Sequence, residues 1–530
     1  MGYKDIQKRS VGPELARLLP DDGIPFWRKK HLLRLNLSLF CLFLLSASDG
    51  YDGTLMNGLQ ALPHWQEFMD HPTGAWLGFV NAVTSLSAFV TYPIVAWCNN
   101  KIGRKKTLGI NYFWIVLAVA LQTAASNSTT FVLGRFFIGA SASFTSGSAP
   151  ILITETAYPT HRGILTALFN CGWHVGSLLG AWTIFGTRVI DNNWSWRIPS
   201  LLQCALPVIA LVGFLAVPES PRWLASQERL EEARAFLIKY HANGDENSAL
   251  VEFELREIVN SLALESQNRK SSSWLDMFRG RGNLHRSFIT ITLGVFAQWN
   301  GVGIVSYYLA PVLRSVGITS VSNQTMISGF LQLWNLILSL FAAFNVDRFG
   351  RRSLFLVSCF GMLASYIIIS GLAGSFANTD NGPIGIAVIP FLFIYYGFYD
   401  IAFTPLLMAY PCEIWQYDLR AKGLALGMNS TRVALFFNTF VNPIILDAIA
   451  WKYYIAYCVI LVIITITIWF WYPETNGYTL EEMAAIFDGE RADEKITSGG
   501  TAAEADGKDV KTNIAHVEKA WSIGIYIRPI

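Results

Sequence analysis

Residues 100–106 read NKIGRKK, and residues 347–352 read DRFGRR. The same Gly-Arg-basic turn thus stands twice, each time between two long apolar runs. A second marker repeats with it: Glu155 precedes Arg162 by the interval at which Glu413 precedes Arg420. Working outward from these turns, predominantly apolar segments begin near Leu32, Thr73, Thr107, Thr130, Gly163, Arg197, Ser287, Gln324, Ser353, Gly382, Ala421 and Tyr453. Many of them reach the roughly 20 residues that cross a bilayer core. Six lie before a polar stretch and six after it. Two six-helix units related by repetition are the expected layout of a carrier whose halves rock about a central site. The chain therefore reads as an all-α polytopic membrane protein with twelve transmembrane helices in two six-helix halves.

Composition supports this. Of 530 residues, 52% are hydrophobic and only 15% charged, whereas a soluble domain carries about 25% charged residues. That deficit excludes an ordinary soluble globular protein. A net charge of +2 without a long basic block excludes a nucleic-acid partner. All seven cysteines (Cys41, Cys98, Cys171, Cys204, Cys359, Cys412 and Cys458) fall in apolar segments, none in CxxC or Cys/His spacing. Neither a disulfide scaffold nor a metal site is expected, and no cofactor. An enzyme is not expected either, because no nucleophile with a base and no phosphate-cradling loop stands at usable spacing.

The expected organisation is a cytoplasmic segment over 1–31, a six-helix bundle over 32–218, a cytoplasmic linker over 219–286, a second bundle over 287–472 and a cytoplasmic tail over 473–530. The periodicity of 230–241 and 250–264 predicts short amphipathic helices in the linker. The start, MGYKDIQKRS, has no secretory signal, so the first span is expected to direct insertion. Lys101, Arg104, Lys105, Lys106, Arg162, Arg348, Arg351, Arg352, Arg420 and Lys422 fall in even-numbered connections, while odd-numbered ones carry only Arg188, Arg197, Arg314 and Lys452. Both termini are therefore expected in the cytoplasm. Sequons at Asn127, Asn193 and Asn323 fall in outside loops and are candidate glycosylation sites.

Ionisable residues inside spans are costly and mark function. Here they are Asp49 and Asp52 in the first span, Arg135 in the fourth, His174 in the fifth, Asp400 in the tenth and Arg432 in the eleventh. A carboxylate beside an arginine can alternate between paired anion and neutral acid, the minimal device for linking a proton to a conformational change. Asp52 with Arg135 is the candidate pair. A structural ion pair locking the first span to the fourth would have the same residues.

GRKK, DRFGRR, GRFFIG around Arg135, PESPRW (218–223) and PETNGYTLEE (473–482) together resemble the sugar porter family of the major facilitator superfamily. Finer strings, GYDGTLMNGLQ (50–60), NCGWHVGSLLGAW (170–182), SYYL (306–309), TPLLMAYPCEI (404–414), RAKGLAL (420–426) and HVEKA (516–520), are similar to the fungal lactose and cellobiose permease branch. The resemblance implies a major facilitator fold in the plasma membrane, functional as a monomer, taking a sugar and a proton by alternating access. It implies that Asp52 takes the proton and answers to Arg135. It places the sugar at Asn170, Gln298, Asn335, Phe403 and Asn438, amide and aromatic groups suited to neutral hydroxyls; the bland reading of each amide is a bridge between helices. It makes Arg104, Glu155, Arg162, Glu219, Arg222, Asp347, Arg351, Glu413, Arg420 and Glu474 a cytoplasmic gate network, against simple topological anchoring by positive charge.

Departures from the pattern matter too. Asn100 and Lys101 replace the usual Asp-Arg, Gly303 stands where such porters place a substrate-contacting Asn, and Met408 where hexose carriers put a stacking Trp. Asp49 and Arg432 lie outside the general pattern. These departures keep open a carrier of a polyol, a quinate-like acid or a secondary metabolite, and a non-transporting nutrient receptor is the further alternative.

Overall fold

The computed structural model describes residues 13–19, 26–271, 273–345, 349–475, 483 and 486–487. Asp347 of the gate set, the HVEKA string and most of 476–530 lie outside the described residues. Ten stretches are long and apolar enough to cross a membrane. Lys422–Trp471 covers parts of two helices, divided by the turn Ala450–Lys452, and the 20-residue Arg104–Thr123 joins them, so the described residues carry twelve spans.

We label them in chain order: α1 Lys30–Leu59, α2 Gly74–Ile102, α3 Arg104–Thr123, α4 Ser128–Thr156, α5 Arg162–Thr187 and α6 Trp194–Ala216 form the first half. α7 Arg281–Ser315, α8 Val321–Asn345, α9 Arg351–Thr379, α10 Val388–Ile414, α11 Tyr417–Ile449 and α12 Tyr453–Trp471 form the second. α6 and α7 are each broken, α6 after Leu202 and α7 after Trp299. At the α7 break Gly301 has φ +106, a backbone that other L-residues rarely adopt.

Apolar burial against water cannot hold helices together inside lipid, so close backbone approach and polar bridges do that work. Along α1 and α5 the helices are in near backbone contact: a β-carbon at Gly176 would overlap the Ala47 carbonyl. Ser177 Oγ donates to the Gly50 carbonyl at 3.1 Å. Between the halves, α2 packs on α11 and α5 on α8.

Helices Pro221–Ser226, Leu230–Tyr240 and Ala249–Ser271 follow α6. They pack through Trp223, Leu224, Ala233, Phe236, Leu237 and Val251, which is the amphipathic arrangement the periodicity predicts. His241 ties this layer to the bundle, with Nδ1 2.7 Å from Glu254 Oε2 and Nε2 3.3 Å from the Thr156 carbonyl at the end of α4. Beside it, burial and the neighbouring His241 hold His161 below the ordinary histidine value.

Candidate functional site

The repeated turns build the same device twice. In the first half Arg104 donates from Nε and Nη2 to the two oxygens of Glu155, at 2.9 and 3.1 Å. Glu219 accepts from the backbone N–H groups of Arg104 and Lys105, at 3.0 Å each, and so caps the start of α3, where a carboxylate meets the positive helix end. Ser220 Oγ closes the set on Glu155 at 2.5 Å. In the second half Arg351 donates to Glu413 at 3.0 Å, and Glu474 accepts from the N–H groups of Arg351 and Arg352 at 2.6 and 3.1 Å. Thr475 Oγ1 donates to Glu413. A β-carbon at Gly103 or Gly350 would press on the carboxylate of Glu219 or Glu474, and Gly103 also has φ +101, a backbone that favours glycine. Of the other gate candidates, Arg162 lies 3.9 Å from Glu254, and Arg222 and Arg420 are each engaged with neighbours.

Midway through the first half, Arg135 Nη1 donates to Asp52 Oδ1 at 2.5 Å. Arg135 is buried and Asp52 half-buried. A chain of amides extends the pair: Gln203 Nε2 donates to the same Asp52 oxygen at 3.1 Å, and Gln122 Nε2 donates to Gln203 Oε1 at 3.2 Å. Sequence reasoning missed both glutamines; polar residues at 122 and 203 inside apolar runs were the available signal.

The second half has no such pair among its described central residues and carries amides and tyrosines instead. Asn438 Nδ2 donates to the Gln298 carbonyl at 2.6 Å, and its Oδ1 accepts from Tyr457 at 3.4 Å. Asn442 Oδ1 accepts from Tyr453 and Tyr457, both at 2.8 Å. Tyr366 and Tyr395 hold the α7 break, donating to the carbonyls of Gly301 at 2.9 Å and Asn300 at 3.2 Å. Gly303 has a local cause here: a β-carbon on it would overlap Asn438 Nδ2. The space an asparagine on α7 would use is filled from α11.

The sugar-site candidates divide. Asn170 is exposed and Gln298 half-buried. Asn335 is buried with Oδ1 unpartnered, and Asn438 is tied as above. Phe403 is fully buried, stacked on Tyr399 at 5.8 Å and edge-on to Phe355 at 5.4 Å, so in this conformation it packs the second half. Asp400 is buried, with Oδ1 accepting from Thr404 at 2.8 Å and Oδ2 unpartnered. Of the sequon asparagines, Asn127 caps α4 through Thr130, Asn193 accepts from Trp196 and Asn323 is exposed on α8.

At the end opposite the basic turns the halves join. Asn57 Oδ1 accepts from Leu309 N–H at 3.0 Å, Gln60 Nε2 donates to the Tyr307 carbonyl at 2.8 Å, and Arg314 donates to the Gln60 carbonyl. Gly74 N–H donates to Asp447 at 2.5 Å.

A sequence profile of the family described as "Sugar (and other) transporter" matches residues 39–487. The chain belongs to that family. It is a membrane transporter of that family, not an enzyme. Among its relatives, a high-affinity glucose transporter of Kluyveromyces lactis is 28% identical over 88% of each chain. The MFS-type transporter oryC of Aspergillus oryzae is 29% identical over 82% of each. The inward-open xylose transporter XylE from E. coli superposes with a TM-score of 0.70 at 23% identity, covering 85% of this chain and 99% of that one. This sugar porter thus has the major facilitator fold.

Proposed function

We propose that this transporter carries a sugar together with a proton across the plasma membrane, by alternating access in a single chain, with a disaccharide or other glycoside as the sugar. The observation that carries the reading is the Asp52–Arg135 pair with Gln203 on the same carboxylate oxygen. Loading Asp52 with a proton removes the charge that Arg135 holds, and the freed arginine and Gln203 must find new partners. That is a local change able to bias two arrangements of α1, α4 and α6. The basic end faces the cytoplasm in this reading, because the Lys/Arg excess lies there. The far end is sealed by Asn57, Gln60 and Asp447, which supports an inward-facing arrangement. Asn170, Gln298, Asn335 and Asn438 supply the donors and acceptors that neutral hydroxyls need, with Phe403 behind Tyr399. The charge networks at Glu155 and Glu413 brace each half and meet at the inner gate when it closes, and the tail from 473 begins with Glu474, the capping carboxylate of the second network.

Uptake with simultaneous external-pH recording in transporter-deficient cells tests this, offering cellobiose, lactose and glucose. Sugar-dependent alkalinisation that disappears in Asp52→Asn, with the variant still at the membrane, supports symport. Uptake with no proton movement, unaffected by the substitution, rejects the coupling.

A further inference from the structure

Arg432 lies midway along α11 and faces the first half. Its Nη2 donates to Tyr92 Oη at 3.2 Å, and its guanidinium carbon stands 5.5 Å from the Tyr92 ring centre. Tyr92 Oη in turn contacts Ser146 Oγ at 2.6 Å. Arg432 belongs to no ion pair among the described residues. Asp49 on α1 and Tyr307 on α7 lie within its electrostatic field, and Asp49 stands beyond ion-pair distance. The guanidinium thus meets the first half through Tyr92 of α2, which Ser146 of α4 holds in turn.

A guanidinium offers five donors in a planar fork, and a neutral phenol takes one here. Arg135 has a buried Nε without a partner, whereas none of the Arg432 nitrogens is sealed in that way. Its remaining donors have no protein acceptor among the described residues. A cation in the membrane interior is costly unless an anion meets it, and Arg is the side chain whose fork matches a carboxylate in two parallel hydrogen bonds. Asp49 is the resident negative charge in its field but makes no ion pair with it, so the fork is left to a carboxylate on an acidic sugar, a charge that a neutral sugar lacks.

The geometry points to Arg432 as the receptor for a carboxylate on the substrate, so that the transporter takes carbohydrate acids, aldonates or uronates free or at the end of a glycoside, in preference to their neutral counterparts. This rests on the sugar-transport reading above and narrows its substrate class. Tyr92 orients the guanidinium, and the amides of α5, α7 and α8 remain for the hydroxyls.

The test is ligand-induced thermal stabilisation of the purified full-length protein, titrated with matched pairs: lactobionate against lactitol, and D-glucuronate against D-glucose. The acid of at least one pair is expected to half-saturate at a concentration at least tenfold below its neutral partner, and Arg432→Gln is expected to erase the preference. Should that variant not purify, Arg432→Lys carries the test: it keeps the charge without the fork, and the preference falls to threefold or less. Equal or tighter binding of both neutral partners, or an undiminished preference in either variant, overturns the inference. Stabilisation by the neutral sugars alone does so while leaving sugar transport standing, and stabilisation by none of the four removes both.

Discussion

The two halves build the same network at the basic end and part company at their centres. At the ends, an arginine after a glycine grips a glutamate from the fourth helix of its half, and a second glutamate after the sixth caps the third. At the centres, the first half holds a carboxylate paired with an arginine and extended by two glutamines, with Asp49 beside it, while the second holds asparagines tied by tyrosines, with Asp400 and Arg432 outside any ion pair among the described residues. The ends share a mechanical job, bracing three helices of a bundle, and one solution serves both. In the proposed reading the centres divide the labour: the proton switch is the ion pair of the first half, and most of the groups offered to the sugar's hydroxyls stand in the second.

Substitutions can break or sharpen that comparison. The largest effect on stability is expected from Arg104→Ala and Arg351→Ala, each stranding a partly buried glutamate at a cost on the order of 3 kcal/mol. If the ends are equivalent, the two variants lower the melting temperature of the purified protein by similar amounts; a wide disparity would show that one network alone carries the load. Next comes Gly303→Ala, which forces Asn438 aside and costs about 2 kcal/mol through overpacking. Adding Asn438→Ala should recover most of that loss in the same melting assay. Tyr457→Phe removes a hydroxyl shared by Asn438 and Asn442 and should cost about 1 kcal/mol, while leaving the pH dependence of uptake unchanged, since Tyr457 bonds to neither Asp52 nor Arg135. The smallest effect concerns His161. Its lowered value means the fold favours the neutral ring, so its contribution is complete above the ordinary 6.5 and declines as pH falls below it. His161→Gln should flatten that acid limb of the melting curve.

Fold and repeat were legible because they rest on local patterns: apolar length, the two Gly-Arg turns, and the Glu-to-Arg spacing. The Asp52–Arg135 pair was legible through its motifs, although spacing alone left it open as a structural pair. What remained hidden depends on which helix faces turn inward. Nothing in the local sequence around Gln203 says that it reaches Asp52 from a span far along the chain, or that Tyr92 meets Arg432 across the halves. Phe403 illustrates the same limit: its position on α10 follows from the motif, but whether its ring lines the path or packs behind Tyr399 is set by the rotation of that helix. Gly303 read as a missing contact in the sequence, and in the structure it is the space that Asn438 occupies.

The most direct test of the division of labour is to reconstitute the protein and its Asp52→Asn variant in vesicles, and to measure sugar counterflow beside proton-driven accumulation. Counterflow needs only the grip and the rocking motion, while accumulation also needs the proton switch. The variant is predicted to keep counterflow and to lose accumulation. Loss of both together, or accumulation that survives the substitution, would contradict the placement of the switch at Asp52.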